Sequence, residues 1–223
     1  MGDCVINYDI IVSSLPLLVK GALVSLKIMG ISFCIGITGG SILGYFHTGK
    51  NEYIKKMISL LVTMIRGTPM LVQITFVYYL FPMIGISLSE CGAAIWAIGF
   101  NSSIYVSQMI RSGIHSVSKE QIESARMLGL NTFQTAWYIV FPQAIRLIFP
   151  SLVGECVTLL KDSSLASVIG VMELYKYSRI VMNQTYDVLT VFFIMSVFYL
   201  MCTIIIECVG RVIEKKMGSY VAD

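Results

Sequence analysis

The sequence predicts an all-α, polytopic integral membrane protein: a single transmembrane domain over residues 1–223, with about five membrane-spanning helices and one polar helical hairpin. Three observations predict it. The chain is 56% hydrophobic and only 13% charged, against about 25% charged in a soluble domain. Uncharged runs extend from Ile28 to Gly49, Cys91 to Ile110 and Val188 to Ile206, each close to the ~20 residues that cross a bilayer core as a helix. Lys and Arg fall mainly in the loops between such runs.

The first span is placed near Val19–Phe46. Ser32, Gly36, Gly40 and Gly44 recur on it every four residues. Such a small-residue ridge lets a second helix approach closely, which matters in lipid, where no hydrophobic effect drives helices together. It is read as packing within the chain in preference to a dimer interface. The residues before it include Asp3 and Asp9, no basic cluster and no small-residue cleavage site, so no cleavable signal peptide is expected. The second span, Met57–Ile84, carries Arg66, Gly67 and Pro69, a combination that loosens a helix and frees backbone groups. Cys91–Ile110 is the third. The fourth, Leu147–Leu160, is short, contains Glu155 and ends at Lys161–Asp162. Ser163–Met172 follows at once and fits a re-entrant half-helix, tolerated at membrane depth only inside protein or beside a cavity. Val188–Ile206 is the fifth.

Basic residues orient these spans. One side receives Lys50, Lys55, Lys56, Arg111, Lys119, Arg126, Arg146, Arg211, Lys215 and Lys216; the other receives Lys20, Lys176 and Arg179. Basic loops resist translocation, which puts the N-terminus outside and the C-terminus in the cytoplasm. The long loop 111–146 is then cytoplasmic. It reads as two short helices around a turn. Ser118 with Gln121 has capping-box spacing, and Asn131 with Gln134 repeats it. Gly129 suits the left-handed position past a helix end. Pro142 should bend or end the second helix before the fourth span. A capped polar hairpin of this kind is a natural docking surface for a soluble partner.

Glu123, Ala125, Gly129, Ile139 and Pro142 match the Glu-Ala-Ala, Gly, Ile-x-Leu-Pro signature spacing of ABC importer permeases, with Ser124 for the first Ala and Phe141 for Leu. Arg66-Gly-Thr-Pro-Met-Leu-Val-Gln73 resembles Arg-Gly-Thr-Pro-Leu-Leu-Val-Gln of the polar amino acid permeases. Leu160-Lys-Asp-Ser-Ser-Leu165 resembles their Leu-Lys-Asp-Thr-Ser-Leu. The likeness runs from about Val19 to Lys215 and is to the histidine/glutamine/arginine type. It implies that the hairpin is a coupling helix for an ATP-hydrolysing subunit. It further implies two such subunits, a second permease (identical or paralogous), and a periplasmic or lipid-anchored binding protein. No cofactor is expected on this chain, ATP being used by its partners, and the location implied is the cytoplasmic (inner) membrane.

Ionisable groups inside a bilayer are costly and mark sites or internal pairs. Arg66 could attract a carboxylate, pair with Glu155, or snorkel. Glu155 could attract an ammonium or cationic side chain, or pair with Arg66 or Lys161. Gln73, Asn101 and Tyr105 could complete a polar pocket or bond neighbouring helices. Lys161 and Asp162 are candidates for an outer gate or a solvated interfacial pair. Other classes find little support. A net charge of +3 is too small to suggest nucleic acid. Gly44–Lys50 nearly spells a phosphate-binding loop, but Asn51 replaces Ser/Thr and no strand precedes it. His47 and His115 are isolated, and the six cysteines lack metal or redox spacing. Nothing resembles a nucleophile–base pair. An ion-coupled secondary transporter is the alternative, although such chains usually carry internal repeats and more spans.

Overall fold

The computed structural model describes residues 6–49 and 51–219; Cys4 and Lys50 lie outside them. No strand occurs among the described residues. The helices are α1 (Tyr8–Thr48), α2 (Glu52–Arg66), α3 (Met70–Leu80), α4 (Glu90–His115), α5 (Lys119–Met127), α6 (Thr132–Thr135), α7 (Phe141–Asp162), α8 (Leu174–Thr185) and α9 (Val188–Ser219). Three are long and apolar enough to cross a membrane alone: α1, the run Thr132–Ile169 containing α7, and α9; the bent pair α2–α3 makes a fourth.

The small-residue ridge of α1 is buried against α4. Ser32 Oγ donates to Ile95 O at 3.2 Å, and a Cβ on Gly36 would stand 2.4 Å from Ser102 Oγ. One on Gly40 would stand 2.6 Å from Val106 Cβ, and Gly44 faces Ile110. Residue numbers rise together along this seam, so the two helices run parallel. α4 holds the third expected span, yet it is less apolar than the others. The reason is its position: Ser102, Ser103, Ser107, Ala94 and Ala97 are buried against neighbouring helices, so much of its surface never meets lipid.

Two expected spans differ in shape. Met57–Ile84 is not one helix: α2 and α3 meet at 101°, broken where Gly67 and Pro69 interrupt the ladder. The fourth is not a 14-residue segment but part of a helical run from Thr132 to Ile169. Arg146, Glu155 and two prolines interrupt its apolar pattern without interrupting its backbone. Pro142 accordingly does not end the helix before the span. A π turn over Ala136–Val140 precedes it, with Phe141 N–H bonded to Ala136 O. That wider turn moves the carbonyls so that a residue without an N–H is accommodated.

Past Asp162 the chain tightens into a 3-10 segment, Ser163–Ile169, ended by Gly170 at φ +100°. Ser163, Ala166, Ser167 and Ile169 are buried there, and Ala166 and Ile169 join Ile28, Ile74, Ile98 and Leu159 in the main core. Irregular backbone is thus enclosed by protein, as membrane depth requires. Glu173 caps α8 and ties it down: its carboxylate accepts the N–H groups of Tyr175 and Lys176, Ser25 Oγ–H of α1 and Tyr199 O–H of α9.

Candidate functional site

The break between α2 and α3 follows from one missing donor. Pro69 has no N–H, so the Ile65 carbonyl four residues back loses its helical partner. Gln73 replaces it, donating from Nε2 to Ile65 O at 2.9 Å and towards Thr68 O at 3.1 Å. Its Oε1 accepts from Asn101 Nδ2 of α4 at 2.9 Å. Arg66, at the end of α2, sets its guanidinium 5.3 Å from the Tyr105 ring centroid, within cation–π range. Asn101 and Tyr105 lie one turn apart on α4. Four predicted site residues therefore meet at one bend, which borders an apolar cavity of about 520 Å³ lined in part by Phe76, Trp96 and Phe100.

Glu155 stands apart on α7. It is 7% exposed, and neither Arg66 nor Lys161 reaches it. The ion pairs among the described residues are the local ones Glu52–Lys55 and Glu207–Arg211. Ser102 Oγ of α4 is an enclosed hydroxyl without a hydrogen-bonding partner among the described residues. Lys161 and Asp162 end α7 without an ion pair between them. Lys161 borders a cleft of about 420 Å³ shared with Glu207, Arg211 and Glu214 of α9.

The hairpin is built as its local signals dictate. Ser118 Oγ caps α5 by accepting Gln121 N–H at 3.4 Å. Gly129 adopts φ +84°, and Leu130 N–H reaches back to Ala125 O at 3.1 Å, the Schellman closure. Asn131 and Gln134 form a reciprocal capping box at 2.9 Å each way. Ala125 is 3% exposed and packs the hairpin; Glu123, Met127 and Leu128 are exposed at its surface. Ile139 and Pro142 are half-buried where the hairpin joins α7.

Some of this was not read from the sequence. Glu173 was missed, although Gly170 followed by an acidic residue and a helical pattern is a start signal. His47 is not isolated: it is buried at the end of α1, where Arg111 donates to its Nε2 at 2.9 Å. The near-miss phosphate loop is the end of α1, with Gly44 packed on α4. No group of three His, Cys, Asp or Glu among the described residues is placed to hold a metal, and the five described cysteines are free.

Comparison with known proteins bears on these features together. The family described as "Binding-protein-dependent transport system inner membrane component" matches residues 36–219. A putative glutamine transport system permease of Rickettsia conorii is 36% identical over 90% of this chain and 92% of its own. A probable glutamine ABC transporter permease of Bacillus subtilis is 40% identical over 78% and 79%. The crystal structure of an amino acid ABC transporter with histidines superposes with a TM-score of 0.87 at 30% identity, covering 95% of this chain and 99% of that one. Inward-facing methionine transporter structures share the fold at 19% identity, with a TM-score of 0.77. This agreement sets aside the secondary-transporter alternative. The chain belongs to the family of inner membrane components of binding-protein-dependent transport systems, and within it to the non-enzymatic permease subunits of ABC importers.

Proposed function

We propose that this permease translocates polar amino acids, with a slight preference for basic ones or glutamine. Membership of the family implies ATPase and substrate-binding partners. In finer terms, two ATP-binding subunits hydrolyse ATP, a second permease subunit (identical or paralogous) completes the pathway, and a periplasmic or lipid-anchored protein delivers the amino acid. The N-terminus lies outside. The hairpin and C-terminus lie in the cytoplasm, as the distribution of basic residues supports. The hairpin is the coupling element: Glu123 presents charge to the ATPase, while Ala125, Gly129, Ile139 and Pro142 hold its shape. Arg66, Gln73, Asn101, Tyr105 and Glu155 line the substrate pathway, and Lys161 and Asp162 form its outer gate. Relatives named for glutamine and L-cystine transport and a neighbour determined with histidines support an amino acid substrate.

One observation carries the preference. Glu155 is enclosed in a span with no cation beside it, and burying an unpaired carboxylate is costly. A substrate ammonium or basic side chain is the partner it lacks. Glu155→Gln keeps the shape and removes the charge. ATPase stimulation by each amino acid, with the binding protein present, is expected to fall about ten-fold or more for arginine, lysine and histidine and to hold for glutamine. An equal fall for every amino acid in a fully assembled complex would instead assign Glu155 a structural role.

A further inference from the structure

Phe133, Trp137 and Phe141 form a ladder of nearly parallel rings on the arm that joins the hairpin to α7. Phe133 and Trp137 have centroids 6.4 Å apart at 8°, and Trp137 and Phe141 5.5 Å apart at 5°. All three are more than half exposed. The π turn between Ala136 and Val140 is the local departure from α geometry on which this ladder sits. Its depth follows from packing. Ala144 lies against Gly113, two residues before the end of α4, so Phe141 sits at the rim of the bundle and Trp137 about one turn beyond it. Aromatic side chains at that level belong to the headgroup layer of a bilayer.

Two cavities meet at this rim. One, of about 400 Å³, is lined by Trp137, Phe141, Pro142, Ile145, Arg146 and Met217 of α9. The other, of about 350 Å³, is apolar, shares Phe141 and Ile145 as walls, and runs between α1, α4 and α7 past Ile37, Val106 and Leu152. Arg146 is half-buried in the first and has neither a hydrogen bond nor an ion pair among the described residues. Among the described residues no carboxylate lines either cavity. A cationic, aromatic mouth that shares its walls with a long apolar groove fits a molecule with an anionic head and a hydrocarbon tail. The guanidinium repels the ammonium of a zwitterionic headgroup, so a headgroup of net negative charge fits the mouth better.

We propose that the joint between the coupling hairpin and α7 binds an anionic phospholipid of the cytoplasmic leaflet. Its phosphate lies on Arg146, its glycerol region against Trp137 and Phe141, and an acyl chain along the groove. The site rests on the membrane orientation given above but not on any substrate. It makes the lipid part of the surface on which the hairpin is mounted.

The test uses the complete complex, with ATPase subunits and second permease, in vesicles holding equal amounts of phosphatidylglycerol and phosphatidylcholine. Trp137 is replaced by the photoreactive p-benzoylphenylalanine, and lipid adducts on its peptide are identified by mass spectrometry. The same residue at position 200, exposed on α9 and lining neither cavity, reports the bulk ratio. The expected result is about five-fold enrichment of phosphatidylglycerol at position 137, the bias one basic side chain supplies near a lipid surface. Arg146→Gln should return that ratio to bulk. The bulk ratio at position 137 in the otherwise wild-type chain, or cross-linking to the ATPase in place of lipid, would overturn the proposal. ATP-driven uptake, measured separately, distinguishes that failure from failure of the permease assignment.

Discussion

Gly36 and Gly154 are both glycines inside long helices, and only one of them has a neighbour in the way. A methyl group on Gly36 would meet Ser102 Oγ at 2.4 Å and Cβ at 2.9 Å, whereas nothing lies within 4 Å of one on Gly154. Forcing a methyl into a packed seam costs about 1–3 kcal/mol. Gly36→Ala is therefore expected to lower the melting temperature of the purified complex by several degrees. Gly154→Ala should leave it unchanged or raise it slightly, because alanine favours the helix by up to about 1 kcal/mol. Equal melting temperatures would mean that the α1–α4 seam is looser than its geometry. Gly129 is a third kind of position: space around it is open, but φ is +84°. Gly129→Val places a β-branched residue in a conformation that is a steric outlier. The expected outcome is poor assembly, or ATP hydrolysis without uptake, while Gly129→Asn should retain most activity because asparagine tolerates that region. Normal uptake by the valine variant would remove the hairpin from the coupling role.

At the scale of elements, the parts held by neighbours in sequence were legible and the parts held by distant groups were not. Ser118, Gly129, Asn131 and Gln134 act on residues within four positions, so the hairpin and its caps could be read directly. The bend after Arg66 needed Asn101, 28 residues beyond Gln73, to show what the freed amide does. The site residues shared that limit. Gln73 and Asn101 could be named as polar and intramembrane, but their hydrogen bond to each other depends on how α3 packs on α4. The cap of α8 shows the same principle and yields a pH prediction. Glu173 lies in the connection between α7 and α9, wholly buried, and burial pushes its pKa up to about 7. Its folded value exceeds its ordinary one of 4.5, so its protonated form stabilises the fold. That contribution is complete below about pH 4.5 and is lost as pH rises through 7, amounting to roughly 3 kcal/mol. Thermal stability should therefore fall between pH 5 and pH 8, and Glu173→Gln should flatten the slope over that interval. An unchanged slope in the variant would assign the pH dependence to another group.

At the scale of the whole molecule, α1, α4 and α9 run one way and α7 the other. The hairpin and the end of α9 lie together at one rim, with Met217 beside Trp137. α8 lies at the opposite end, where Leu18, Leu174 and Ile194 pack together. With native cysteines replaced, a cysteine at exposed position 119 or 131 should react with membrane-impermeant reagents only once the cytoplasmic face is opened. One at position 179 should react from outside. The reverse labelling would invert the orientation and separate the hairpin from any cytoplasmic ATPase. The break in the second span has a mechanical meaning on this scale. α2 is 15 residues long, an arm of about 22 Å with its fulcrum at Gly67–Pro69. A rotation of about 10° there would swing the Glu52 end by about 4 Å. Gln73 donates to the fulcrum's Ile65 carbonyl and accepts from Asn101, so its amide ties the bend to α4. The bend is in this sense a lever tied to α4 at Asn101, with Glu52 at the end of its long arm.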